Sequence, residues 1–87
     1  MPKRFYLGID VGTGSARAAV FDKRGVRLGM GVHPLQHWQP QADFHEQSSD
    51  DIWRACANAV HAAVNQSAVP TENIRGVGFD EIGRAHV

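Results

Sequence analysis

Apolar and polar residues alternate from Phe5 to Asp10. Phe5, Leu7 and Ile9 fall on one side, Tyr6, Gly8 and Asp10 on the other. A period of two predicts a strand. Val11-Gly12-Thr13-Gly14-Ser15 follows as a turn, because two glycines within three residues admit positive φ and close backbone approach. Arg17 to Phe21 alternates again, with Ala18 and Val20 opposed to Arg17, Ala19 and Phe21, and predicts a second strand. Asp22-Lys23-Arg24-Gly25 reads as a hairpin turn with Gly25 in the left-handed position. In the third strand Val26, Leu28, Met30 and Val32 alternate with Arg27, Gly29, Gly31 and His33. Three strands joined by two short turns predict an antiparallel meander.

From Pro34 to Gln47 the periodicity is lost. Pro34, Pro40 and Trp38 among glutamines predict an extended loop, with a short strand near Ala42–His45. At Ser48 the period changes to that of a helix. Ser48 can cap it, and Asp51 three residues later is a weaker relative of the capping box, in which Glu is usual. Asp50 and Asp51 also favour the positive end of the helix dipole. The predicted apolar face is Ile52, Cys56, Ala59 and Ala63, broadened by Trp53, Val60 and Val64. The helix is expected to stop near Gln66, before Pro70. Ile74 to Phe79 predicts a fourth, Gly-interrupted strand. The order is β-β-β-α-β.

Composition narrows the function classes. The chain has 87 residues, 43% of them hydrophobic, with nine basic and nine acidic side chains. It can build one core, not two. Zero net charge removes the bulk electrostatic case for a nucleic-acid or acidic-membrane partner. The single cysteine, Cys56, excludes an intrachain disulfide and a cysteine-based zinc site, and its place in the helical pattern predicts a buried thiol. No apolar run approaches the roughly 20 residues that span a bilayer. The stretch after Met1-Pro2-Lys3-Arg4 breaks at Asp10, too early for a signal-peptide core. A cytoplasmic location is expected.

The chemistry concentrates in Asp10-Val11-Gly12-Thr13-Gly14-Ser15-Ala16-Arg17. A phosphate needs backbone N–H groups with no side chain in the way, which Gly12 and Gly14 provide. Thr13 and Ser15 add hydroxyl donors. Asp10, at a strand end, is a hard oxygen ligand suited to Mg²⁺, directly or through waters. Arg17 offers a guanidinium to a phosphoryl group. Two better-known motifs are excluded. No Gly-Lys-Ser/Thr is present, so this is not a P-loop. Gly12-Thr13-Gly14 has no third glycine in register, and a strand rather than a helix follows, so it is not a dinucleotide fingerprint. Two readings stand at this point: a phosphate site, or a Gly-rich hairpin turn with a surface Asp and Arg.

The five histidines form no metal constellation in the sequence. His33 and His37 flank Pro34, His45 is isolated, His61 lies on the helix and His86 at the end, and each reads as a surface or loop histidine. Trp53 is expected in the core; Trp38, in a loop with Gln neighbours, reads as packed against the fold, with the lining of a sugar cleft as the alternative.

The stretch Leu7-Gly8-Ile9-Asp10-Val11-Gly12-Thr13-Gly14-Ser15-Ala16-Arg17-Ala18-Ala19-Val20-Phe21-Asp22 resembles the first phosphate motif of the FGGY carbohydrate kinases. His45-Glu46-Gln47-Ser48-Ser49-Asp50-Asp51-Ile52-Trp53 resembles that family's Glu-Gln…Trp segment at its first helix. Pro34-Leu35-Gln36, Trp38, Pro40-Gln41, Asp43-Phe44 and Glu46-Gln47-Ser48-Ser49 are closest to the ribulokinase-like pentulose kinases. The phosphate motif alone is shared across the fold; its combination with the Glu-Gln…Trp segment is more specific.

The resemblance implies an α/β, ribonuclease H-like (actin/hexokinase-type) fold, incomplete here as β-β-β-α-β. It implies ATP-dependent phosphorylation of a sugar hydroxyl, with ATP and Mg²⁺ as cofactors and a ketopentose such as ribulose as substrate. In those terms Asp10 organises Mg²⁺, Gly12, Thr13, Gly14 and Ser15 hold phosphate, and Arg17 contacts the transferred phosphoryl. The family's catalytic base is an Asp from the second half of the polypeptide, and no residue here matches it. Residues 1–80 are therefore expected to be part of an N-terminal kinase domain, inactive alone. Glu81 to Val87 departs from the family pattern, and Ile82–Val87 resembles the translation of a sequencing-library adapter, so residues 81–87 are expected to be a non-native ending. Two other classes remain at this stage: a non-enzymatic actin-like or chaperone-like ATP-binding protein, and a small stand-alone binding module. Oligomeric state is not legible in the sequence.

Overall fold

The computed structural model describes residues 4–12, 14–37 and 48–81, the last two of these as backbone. The predicted order holds: β1 (Phe5–Gly12), β2 (Ser15–Asp22), β3 (Arg27–Pro34), α1 (Ser49–Ser67), a single 3₁₀ turn (Thr71–Asn73) and β4 (Ile74–Glu81). The short strand expected near Ala42–His45 lies outside the described residues. β1, β2 and β3 form the antiparallel meander, with Ile9 opposite Ala18 and Ala18 opposite Gly31. β4 returns parallel to β1, giving the sheet order β3-β2-β1-β4. A parallel return needs a crossover, and α1 supplies it.

The β2–β3 turn is stabilised locally. Gly25 takes φ 86°. The Asp22 carboxylate accepts from the N–H of Arg24 at 2.8 Å and of Val26 at 3.0 Å. Those backbone bonds, Val26 foremost, hold the Asp22 carboxyl below its ordinary range, with Arg24 adding attraction.

Side-chain alternation sends Phe5, Leu7, Val11, Ala16, Ala18 and Val20 to one face of the sheet, where they form the core with Ala55, Cys56, Ala59 and Ala63. On β3 the face toward the helix carries Gly29 and Gly31, while Leu28, Met30 and Val32 face away and stay substantially exposed. The glycines are required by distance. A Cβ on Gly29 would stand 2.5 Å from the Ala63 carbonyl oxygen and 2.6 Å from Ser67 N. On Gly31 it would collide with the Ala59 carbonyl and come within 2.7 Å of the Ala62 methyl. Small residues on both sides let helix backbone lie directly on strand backbone. At the outer edge of β3, Gln66 Oε1 accepts the Met30 N–H at 2.6 Å, which blunts the edge.

The helix buries most of the expected face, extended on the side of Asp51 and Ala55, and leaves out Trp53. Its buried series is Asp51, Ala55, Ala59 and Ala63, with Cys56, while Ile52, Val60 and Val64 are partly covered. Trp53, expected in the core, is 73% exposed. The reason is angular: two residues past Asp51 is about 200° around the helix, hence the solvent side. Ser48 caps the helix as expected, its Oγ accepting from Asp51 N–H at 3.3 Å. The helix ends on Ala68, a non-glycine residue in the left-handed region at φ 58°. No helix among the described residues is long and apolar enough to cross a membrane.

Candidate functional site

The predicted phosphate segment is the tip of the β1–β2 hairpin. Gly12 pairs with Ser15, so the connection is two residues long and spends its positive φ on Gly14, at 85°. A two-residue connection of this kind keeps the twist of the strands only with such dihedrals. Thr13 lies outside the described residues. Gly12, Gly14 and Ser15 are each part-buried at the tip. The Gly14 carbonyl accepts the Leu35 N–H at 2.8 Å, which ties the tip to the chain leaving β3.

Asp10 sits two residues before the tip, in register with Arg17 on β2 and Asp80 on β4. Its Oδ1 is out of contact with solvent and has no hydrogen-bond partner among the described residues. A buried carboxylate oxygen with no donor is costly in free energy unless something positive meets it. A hard cation is one such partner. Arg17 is exposed and is not within ion-pair distance of a carboxylate among the described residues, so its guanidinium is open to an external anion. Asp10 and Arg17 line one part of a groove of about 450 Å³ on the sheet face opposite α1, where Gly8, Ala19, Phe21 and Met30 supply apolar wall. Among the described residues no three His, Cys, Asp or Glu side chains gather into a metal cluster.

The structure thus brings Asp10, Gly12, Gly14, Ser15 and Arg17 to one hairpin. Residues outside that motif matter as well. Leu35 holds the tip through its amide, and Asp51 holds the residues beside Leu35: its carboxylate accepts from Gln36 N–H at 3.0 Å and His37 N–H at 2.8 Å. The His37 bond first, then Gln36 and the Arg54 charge, hold the Asp51 carboxyl below its ordinary range despite burial. No local signal in the sequence marks these contacts, because they join residues 14, 15 and 21 apart. His33, read as a surface or loop residue, is half-buried on β3, with its Nε2 3.3 Å from Asn58 Nδ2 on α1. Cys56 is buried as expected, and burial pushes its thiol pKa up.

Known proteins resemble this arrangement. Residues 5–87 match the FGGY family of carbohydrate kinases, N-terminal domain. The chain is 48% identical over 79 residues to the human FGGY carbohydrate kinase domain-containing protein, covering 91% of this chain and 14% of that one. It is 46% identical over 77 residues to D-ribulokinase YDR109C of Saccharomyces cerevisiae, covering 88% of this chain and 11% of that one. The crystal structure of a xyloylose kinase from Brucella ovis superposes with a TM-score of 0.73 at 26% identity, over 90% of this chain and 16% of the other. The chain therefore spans a small fraction of the length of these relatives. That neighbour has the actin/hexokinase-type fold, of which the four strands and one helix are an incomplete α/β part. The hairpin, the strand order and the matching families agree: this chain belongs to the FGGY family of carbohydrate kinases, as part of its N-terminal domain.

Proposed function

We propose that the chain is the N-terminal piece of an ATP-dependent sugar kinase that phosphorylates a ketopentose such as ribulose, in the cytoplasm. The observation that carries the phosphate assignment is the buried Oδ1 of Asp10, without a donor among the described residues, beside a glycine tip and an exposed Arg17 that has no carboxylate partner among them. That donor set fits Mg²⁺, which favours oxygen ligands and retains waters. Asp10 would hold the ion directly or through water, and the ion would neutralise charge on the nucleotide phosphates. The N–H groups of the Gly12–Ser15 tip and the hydroxyls of Thr13 and Ser15 would orient those phosphates. Arg17 would meet the transferred phosphoryl group. Phosphoryl transfer depends on such positioning and charge stabilisation more than on covalent help from the protein.

The ketopentose assignment is supported by relative similarity. Identity is 46% to the yeast D-ribulokinase, against 36% to glycerol kinase 2 of Sulfolobus acidocaldarius and 29% to glycerol kinase of Enterococcus faecalis. The base that takes the proton from the sugar hydroxyl, and the adenine pocket, belong on this reading to sequence beyond residue 80. The seven residues from Glu81 to Val87 are read as a non-native ending. The 87-residue chain alone is accordingly inactive. The test is twofold. The genomic sequence after codon 80 should continue into a second domain carrying a catalytic Asp, and its complete product should transfer phosphate from ATP to ribulose. Turnover of ribulose by the 87-residue chain itself, or an authentic stop codon after Val87, would contradict the proposal.

A further inference from the structure

Asp51 is 4% exposed, and nothing in the phosphate reading uses it. A carboxylate withdrawn from water needs donors. It finds them across the fold, not within its own helix. In a capping box the third helical residue reaches back to the cap. Here both oxygens of Asp51 reach the turn that leaves β3, one to Gln36 N–H and the other to His37 N–H. Arg54 Nη1 stands 3.9 Å from Asp51 Oδ1 and donates to Gln36 Oε1 at 2.8 Å, closing the cluster. Hydrogen bonds to an ionised acceptor are roughly twice as strong as neutral ones.

The next link is covalent. Leu35, adjacent to Gln36, buries its side chain and donates its N–H to the Gly14 carbonyl at 2.8 Å. Gly14 is the positive-φ residue of the hairpin tip. A continuous path therefore runs from the first turn of α1, through the Asp51 carboxylate and three consecutive residues, to the peptide whose orientation the tip presents. Gly14 lacks a side chain that would fix that peptide locally, so an external restraint sets it.

We propose that Asp51 is a positioning residue for the phosphate hairpin. It anchors the 35–37 turn and, through the Leu35 N–H, sets the backbone that the β1–β2 tip offers to phosphate. The inference rests on the reading of that hairpin as the nucleotide phosphate site.

The test uses the complete gene product, with backbone amide exchange and MgATP titration as paired readouts. Asp51→Asn keeps the size of the side chain but removes its charge and one acceptor. Exchange should rise at Leu35, Gln36 and His37 above the rest of β3, and MgATP should bind about tenfold more weakly, since small misplacements are amplified at such sites. Asp51→Glu, which keeps the charge, should restore part of both. Val20→Ala serves as a destabilised control: it weakens the core far from the clamp and should leave MgATP affinity unchanged. Unaltered Leu35 exchange in Asp51→Asn overturns the inference. So does an equal loss of MgATP affinity in Val20→Ala, which would make the effect one of global stability. Wild-type binding with Asp51→Asn unaffected sinks this inference alone, whereas a wild type that ignores MgATP sinks the phosphate reading and this inference with it.

Discussion

Replacing Gly31 with alanine tests the idea that α1 is seated by the absence of side chains on β3. The new methyl would stand 2.7 Å from the Ala62 methyl and 2.9 Å from Ala63 N, and would overlap the Ala59 carbonyl. Comfortable carbon–carbon contact is roughly 3.5–4.0 Å, so the shortfall is about 1 Å. Two of the three obstacles are helix backbone, which cannot rotate aside. The helix must lift as a body, loosening Ala55, Ala59 and Ala63 against the sheet. Overpacking of this kind costs about 1–3 kcal/mol. Gly31 has an ordinary backbone conformation, so alanine also gains roughly 0.4–1 kcal/mol by restricting the unfolded chain. The penalty wins. A net loss of about 1–2 kcal/mol lowers the melting temperature of a domain this size by roughly 4–16 °C. Gly78→Ala is the matched control: nothing lies within 4 Å of its Cβ and its φ is not positive, so it should be neutral or slightly stabilising. Thermal unfolding of parent and variants, followed by far-UV circular dichroism, makes the comparison. A Gly31→Ala protein as stable as Gly78→Ala would refute the seating argument.

Other outcomes follow from single features. Ala68 holds φ 58° at the helix C-cap, where a Cβ costs about 1–2 kcal/mol, so Ala68→Gly should raise the melting temperature despite the greater freedom of glycine in the unfolded chain. Ser48→Ala removes the Oγ that accepts from Asp51 N–H and should cost about 1 kcal/mol in urea denaturation. Asp51 and Asp22 both have carboxyl pKa values below the ordinary 3.8 in the folded chain. Their contribution to stability is therefore complete above that value and is lost as pH falls through the folded pKa values. Melting temperature should drop on acidification below about pH 4, and Asp51→Asn should flatten part of that slope. Cys56, buried with its thiol pKa raised, should resist iodoacetamide at neutral pH in the native chain and react readily in denaturant, a contrast that mass spectrometry reads directly.

The family match narrows the function classes considered from the sequence. The stand-alone binding module and the chaperone-like ATP-binding protein both give way to a carbohydrate kinase family assignment over residues 5–87.

Local physics was enough for much of this chain. The period-two runs, the Gly25 turn, the Ser48 cap and the order β-β-β-α-β depend on neighbours in sequence, and each was legible there. So were the ingredients of the hairpin, because a strand-end carboxylate, a two-glycine tip and an arginine sit within eight residues, Asp10 to Arg17. Facing was a different matter. The apolar stripe of β3, Leu28, Met30 and Val32, looks like the side that packs, yet the helix lies on Gly29 and Gly31. Trp53 looks like core, yet the stripe through Asp51, Ala55, Ala59 and Ala63 turns it to solvent. Amphipathic pattern reports how much apolar surface an element has; which side is used depends on how closely two backbones can approach, and that is a property of the pair. The same holds for the site. Residue types in the sequence marked the candidate hairpin, but the bonds from Asp51 to Gln36 and His37, and from Leu35 to Gly14, join segments that only the packed sheet and helix bring together.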